Sequence, residues 1–391
     1  MIATPRLTRR SQLTALRAGL ALGLLTLATA CTADISGGSA PSLTGVTNTT
    51  SGGSTPTTTN EAAPDCASPA PGPSPLRRLT HREYDNTVRD LLGDDARLGT
   101  QFSREEVFLG FDNNATARGT TPLLAEQYMK AAEQLAGKAV QDVATLTGCN
   151  PDDTAARDAC ARAFLERFGA RALRGPLRDD ERARFGDLYA GASRSWGFAK
   201  GVELALAALL QSSRFLYRVE FGAATPTPGV ALLTPFELAA RISYLIAGSL
   251  PDQPLLDAAT TGQLSTREQV ATQARRLLQG ERSRYVLGDF HRQWLALDAI
   301  DGVDSTLPGF SDELRPLLHE ETTRLVDATL FQEDGKLGTL LTAPFSFMNA
   351  RLASFYGVAG PSGDAFEQVQ LDPTQRLGIL TQGGVLAAHS H

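Results

Sequence analysis

Leu79-Thr80-His81-Arg82-Glu83-Tyr84-Asp85-Asn86-Thr87-Val88-Arg89-Asp90-Leu91-Leu92-Gly93 reads as one complete helix, start and stop included. Thr80 and Glu83 stand three apart. At that spacing a threonine hydroxyl accepts from the glutamate amide while the carboxylate reaches back to the threonine amide. Leu79 and Tyr84 occupy the staple positions. Tyr84, Val88, Leu91 and Leu92 form one apolar stripe, and Gly93 is placed to close the helix in a left-handed conformation. The same design returns at Thr234-Pro235-Phe236-Glu237, with proline at the first helical position and Leu238, Ile242, Leu245 and Ile246 as the buried face. A third box is read at Ser265-Thr266-Arg267-Glu268, opening a helix that carries Val270 and Leu277 and runs to Gly280. Periodicity predicts further helices over 122–143, 155–168, 180–190, 198–217 and 312–331. Period-two patterns are scarce, 366–371 being the best strand candidate, so the fold class is all-α or mainly α.

Upstream of this helical body the chain changes character. Residues 1–31 carry Arg6, Arg9, Arg10 and Arg17 and no acid, and an apolar run from Ala18 to Ala30 ends at Cys31. That run is too short to span a bilayer and has the length of a signal-peptide core. Small residues directly before Cys31 fit a lipobox, with Ala28 where leucine is preferred, so Cys31 is the expected lipidation site. Residues 32–75 are dominated by Ser, Thr, Gly, Pro and Ala, a composition that cannot offset its ordering entropy, and are expected to form a tether. As a flexible coil it would span roughly 35–40 Å. The expected location is the outer membrane or cell surface, on a periplasmic or extracellular face, with the membrane reached through the lipid. Removing the four leader charges takes the formal charge from −6 to −10, which argues against a nucleic-acid partner.

The ordered motifs resemble a known family. Leu79 through Gly93, then Gly110-Phe111-Asp112-Asn113-Asn114, is similar to the first of a series of domains of unknown function, DUF1587, DUF1595, DUF1592 and DUF1588, in secreted proteins of planctomycetes and myxobacteria. Phe168 through Leu177 resembles the second. Leu233 through Leu250, with Gln293-Trp294-Leu295 and Asn349 through Gly357, resembles the third, and Arg376 through Gln382 the opening of the fourth. Breaks in composition place domains at 76–145, 150–222 and 230–360, with 374–391 as the truncated start of a fourth. In that last piece Gly383 and Gly384 interrupt a helix whose apolar positions are Leu377, Leu380 and Leu386, so loose packing is expected. The resemblance implies an association with c-type cytochrome modules and a redox or polysaccharide-related role. This chain has no Cys-x-x-Cys-His, hence no c-type haem motif, and no cofactor is identified.

Few residues point to chemistry. Cys149 and Cys160 flank a helix junction and suit a disulfide, worth on the order of 2–3 kcal/mol in the loop-entropy model, while Cys66 is left in the tether. No cysteine pair has zinc-site spacing, and His319-Glu320-Glu321 lacks the second histidine of a zinc-protease helix, so no metal site is expected and a solvated helical face is read there. Asp112, Asn113 and Asn114 suit a turn and, alternatively, a cation or sugar hydroxyls. Glu83 and Asp85 pair two carboxylates, of which Glu83 is explained by capping. Trp294, with Phe290, Phe345, Phe347, Phe355 and Tyr356, supplies stacking surface for a carbohydrate or simply fills the core. No Gly-x-Ser-x-Gly elbow, phosphate loop or dinucleotide fingerprint occurs. Two classes of function remain. One is a surface or periplasmic module that binds a glycan or a protein partner; the other is an enzyme, either a polysaccharide hydrolase or a non-haem component of an extracytoplasmic oxidoreductase complex with a cytochrome-type partner.

Overall fold

A computed structural model describes residues 72–115, 119–304 and 310–390. The leader, the lipidation candidate Cys31 and Cys66 lie outside the described residues. The first stretch holds β1 (Arg77–Arg78), α1 (His81–Leu92), α2 (Pro122–Ala139) and α3 (Val143–Thr147). Then come α4 (Arg157–Ala172), α5 (Asp179–Trp196), α6 (Phe198–Leu210), α7 (Ser213–Leu216) and β2 (Tyr217–Arg218), followed by a short hairpin of β3 (Ala223–Ala224) and β4 (Ala231–Leu232). The rest contains α8 (Pro235–Ala247), α9 (Gln253–Thr260), α10 (Arg267–Leu278), α11 (Glu281–Trp294), α12 (Arg315–Phe331), α13 (Leu337–Thr342), β5 (Phe345–Met348), α14 (Ala350–Tyr356), β6 (Glu367–Gln370) and α15 (Gly383–Ala388). The fold is mainly α. Among the described residues its strands form three antiparallel pairs: β1 with β2, β3 with β4, and β5 with β6.

Local chemistry sets the helix boundaries. Thr80 Oγ1 accepts from the Glu83 amide at 3.0 Å while Glu83 Oε2 accepts from the Thr80 amide at 2.9 Å, and Gly93 closes α1 with φ 69°. Thr234 and Glu237 repeat the box, and Glu237 also accepts from the amides of Phe221 and Gly222, fastening the β3–β4 hairpin to α8. The third box is displaced by one residue from its expected place. Ser265 Oγ donates to the Gly262 carbonyl and is spent on the preceding turn. The cap therefore falls to Thr266, with Gln269 accepting from the amides of both Ser265 and Thr266.

One hydrophobic core serves the first two stretches together. Tyr84 and Val88 of α1, Leu124 and Tyr128 of α2, Phe164 of α4, Tyr189 of α5 and Leu206 of α6 belong to it, and Tyr244 and Leu250 enter it from the third stretch. The Cys149–Cys160 disulfide, with Cα atoms 5.8 Å apart, ties the end of α3 to α4 across that shared core. Beyond it, α8 to α10 pack around Leu255, and α12, β5, α14 and α15 pack around Leu318, Met348 and Leu352.

The chain's last residues correct an expectation. Ile379, Val385 and Ala388 are buried in the α12–α15 cluster, while Leu380 and Leu386 are exposed. Loose packing was expected because the two glycines interrupt the helix. Instead, they let it approach: a Cβ at Gly383 would lie 2.9 Å from the Tyr356 hydroxyl, and the Gly383 amide donates to that hydroxyl at 2.6 Å.

Candidate functional site

A cleft of about 590 Å³ is bordered by Pro73-Ser74-Pro75, β1, the first turn of α1, the loop at 111–113, β2, α8 and α11. Helical spacing supplies two of its walls. Arg241, Tyr244, Leu245 and Gly248 follow one face of α8 and its cap, and Val286, Leu287, Phe290 and Gln293 follow one face of α11. Gly248 is needed where these walls meet. Its φ is 61°, and a Cβ there would press on Val286 at 3.0 Å.

Charge is distributed unevenly in this cleft. Four arginines line it, Arg77, Arg82, Arg218 and Arg241, against three carboxylates, Glu83, Glu220 and Asp289. Arg241 forks onto Glu220, which also accepts from Ser74 Oγ at 3.0 Å, and Arg82 pairs with Asp289 at 2.5 Å. Glu83 is committed to the α1 cap. Arg77 and Arg218 have no ion-pair partner among the described residues, and the β1–β2 register sets them directly opposite each other. Burial and the Arg218 guanidinium lower Arg77 from its ordinary pKa, with Glu83 and Glu220 opposing. The Arg218 guanidinium lies 5.3 Å from the centre of the Tyr244 ring, and its Nε is buried without a hydrogen-bond partner. Tyr244 is itself fixed, its hydroxyl 2.8 Å from Thr87 Oγ1 and accepting from Arg174 Nη1 at 3.0 Å.

A second cleft, about 780 Å³, shares Arg82, Leu287 and Asp289 with the first. It is larger, but its remaining arginines are all neutralised: Arg284 by Asp327, Arg292 by Asp289 and Asp298, and Arg324 by Glu320. The uncompensated charge lies in the first cleft alone of these two.

Aromatic rings continue one wall of that first cleft. Phe111 and Phe290 lie 5.7 Å apart, centre to centre, at 19°, and Phe290 and Trp294 lie 6.3 Å apart at 15°. Phe290 and Trp294, one turn apart on α11, are 46 % and 41 % exposed. His291 meets both rings edge-on, and burial lowers its pKa despite the contact of Nδ1 with the Leu287 carbonyl at 2.7 Å. The loop carrying Phe111 is a two-residue hairpin in which Phe108 and Phe111 exchange backbone hydrogen bonds around Leu109 and Gly110, both at positive φ. Leu109 is 78 % exposed at φ 53°, a conformation that costs a branched side chain roughly 1 kcal/mol.

Several candidates from the sequence meet here. The Asp112 amide donates to Gln293 Oε1 at 2.8 Å, Asn113 lines the cleft, and Trp294 extends the ring series. Asn114 follows in the same loop but does not line the cleft. Among the other aromatics, Phe345 is buried in the α12–α15 cluster, and Phe355 and Tyr356 lie against each other on α14. Sequence reasoning missed Arg77, Arg218, Arg241 and Tyr244. The Arg77-Arg78 pair just before α1 was the one visible signal, and its partner strand lies far along the chain.

The reading of His319-Glu320-Glu321 as a solvated face holds for Glu320, which pairs with Arg324, and fails for Glu321. Glu321 is fully buried, accepting from Ser346 Oγ and from the Tyr356 hydroxyl, each at 2.6 Å. Gln382 Nε2 donates to Ser346 Oγ at 3.0 Å and Thr322 Oγ1 donates to Gln382 Oε1 at 2.8 Å, which joins α12, β5, α14 and the turn before α15. Burial pushes the Glu321 carboxyl up to about 7 against the opposing hydroxyl bonds. Consecutive residues on a helix point about 100° apart, which puts Glu320 outside and Glu321 in the core. Among the described residues, no three histidine, cysteine or carboxylate side chains gather as a metal set, and no helix is long and apolar enough to cross a membrane.

Residues 77–141 match the family model PSD3, a protein of unknown function (DUF1587). Residues 160–220 match PSD5, a protein of unknown function (DUF1595), and residues 233–358 match PSD4, a protein of unknown function (DUF1592). The first cleft draws on all three: Arg77 and Phe111 from the first, Arg218 from the second, and Tyr244 and Phe290 from the third. No curated protein and no solved structure matches the chain.

Proposed function

We propose that this chain, which belongs to a multi-domain family built from the DUF1587, DUF1595 and DUF1592 domains of unknown function, is an exported, lipid-anchored module that binds a glycan in the cleft those domains share. The observation that carries the reading is the series Phe111, Phe290 and Trp294: three near-parallel rings, two of them about half exposed, continuing from a polar cleft. Sugars offer apolar C–H faces to aromatic rings and hydroxyls to polar side chains, so rings beside arginine, amide and carboxylate groups suit them. The alternative of hydrolysis is less well supported. Cleavage by paired carboxyls needs one of them held protonated by a raised pKa. Burial alone would raise Glu220 and Asp289, but Arg241 and Ser74 hold the first below its ordinary value and Arg82 and Arg292 hold the second below. In this reading Cys31 carries the lipid, and the tether ends at Pro73-Ser74-Pro75, on the rim of the cleft.

The test is calorimetry of the purified domain against a panel of polysaccharides, with reducing-end release measured in parallel. Trp294→Ala and Phe290→Ala should each weaken glycan binding about tenfold, equivalent to about 1.4 kcal/mol, with the circular dichroism spectrum unchanged. Glycan binding that survives loss of both rings would remove the cleft from consideration. Release of product would favour the hydrolase.

A further inference from the structure

We infer that the sugar held in this cleft carries an oxyanion, a carboxylate or a sulfate, bound by the guanidinium groups of Arg77 and Arg218. The inference rests on the glycan reading of the same cleft and adds the charge class of the ligand. Its basis is what the cleft leaves unbalanced. Two of the four arginines pair with Glu220 and Asp289 and Glu83 is turned to the helix cap, so the remaining two face the cleft without an ion pair, and four arginines against three carboxylates leave the lining one net positive charge. Residues directly opposite in an antiparallel pair share a face with Cβ atoms about 5 Å apart, and like charges so placed oppose the pairing. The β1–β2 pair nonetheless holds Arg77 against Arg218 in a chain whose formal charge is −6.

The Arg218 guanidinium lies 5.3 Å from the centre of the Tyr244 ring, which is itself held by Thr87 and Arg174, so a fixed ring positions its charge. A planar fork held in place is suited to two oxygens of one oxyanion, and a bound anion would relieve the repulsion between the strands. Phe111 and Phe290, lining the same cleft, would carry the sugar ring beside the charge.

The experiment measures affinities of the whole mature chain for three oligosaccharides of equal length: oligogalacturonate, a sulfated galactan fragment and a neutral cello-oligosaccharide. One or both acidic ligands should bind at least about tenfold tighter than the neutral one, the tighter naming the oxyanion, and raising salt from about 50 to about 500 mM should erode the preference. Arg77→Gln and Arg218→Gln should each weaken the acidic ligand at least about tenfold more than the neutral one, so that the preference disappears. Arg77 makes no ion pair among the described residues, so its variant keeps the test alive if Arg218→Gln fails to fold. Equal affinity for neutral and acidic ligands, or a preference that survives both substitutions, overturns the inference and leaves the glycan reading standing. Failure of all three ligands and of the wider panel overturns both.

Discussion

Glu321 is the residue whose behaviour departs most from its ordinary chemistry. Its carboxyl is pushed up to about 7 in the folded chain, against about 4.5 unfolded. Because the folded state holds the proton more tightly, this contribution to stability is complete below about pH 4.5, declines as pH rises through about 7, and is absent above. The slope within that window is about 1.4 kcal/mol per pH unit, giving roughly 3 kcal/mol in all as an upper figure. Urea denaturation at pH 5, 6, 7 and 8 should therefore show the native chain losing stability with rising pH relative to Glu321→Gln, whose amide does not titrate. Parallel profiles would mean that the carboxyl ionises as an ordinary acid. Leu109 offers a second measurement at this scale. Replacing it by glycine removes the positive-φ strain, offset in part by glycine's greater freedom in the unfolded chain, and a net gain of roughly 0.5 kcal/mol in urea is expected.

Among the elements, those defined by local hydrogen bonds were the most legible. The caps of α1 and α8 could be read from four residues each, because the reciprocal bonds of a capping box depend on spacing and residue type alone. Where two hydroxyls stood side by side, at Ser265 and Thr266, spacing could not say which one the preceding turn would use. The structure makes Thr266 the cap, so Thr266→Ala should cost about 1 kcal/mol and Ser265→Ala distinctly less, measured by chemical denaturation. The reverse order would restore the earlier register. The burial of α15 was misread for a related reason: a 3-10 turn at Ile379–Thr381 resets the helical phase, so the face counted from Leu377 is not the face that packs. The cleft was half legible. Asp112, Asn113 and Trp294 belong to motifs that stand out by composition, whereas Arg77 and Arg218 face each other through two-residue strands, too short to leave any period.

For the whole molecule, the lipid anchor is the expectation to test first. If the proposed anchor is present, a palmitate analogue should label the chain and fail to label Cys31→Ser, which should also leave the membrane fraction. A soluble, unlabelled and normally cleaved product would refute the anchor. The boundaries of the matched segments are not boundaries of packing: the segments 77–141 and 160–220 share one core, and Tyr244 and Leu250 reach into it from the third. Asp90 of α1 is also held by Ser249 and Arg282. A recombination event that copied the first segment into another gene without the second would leave half an interior facing water. Selection on the fold alone should therefore keep the three coding segments together in one gene.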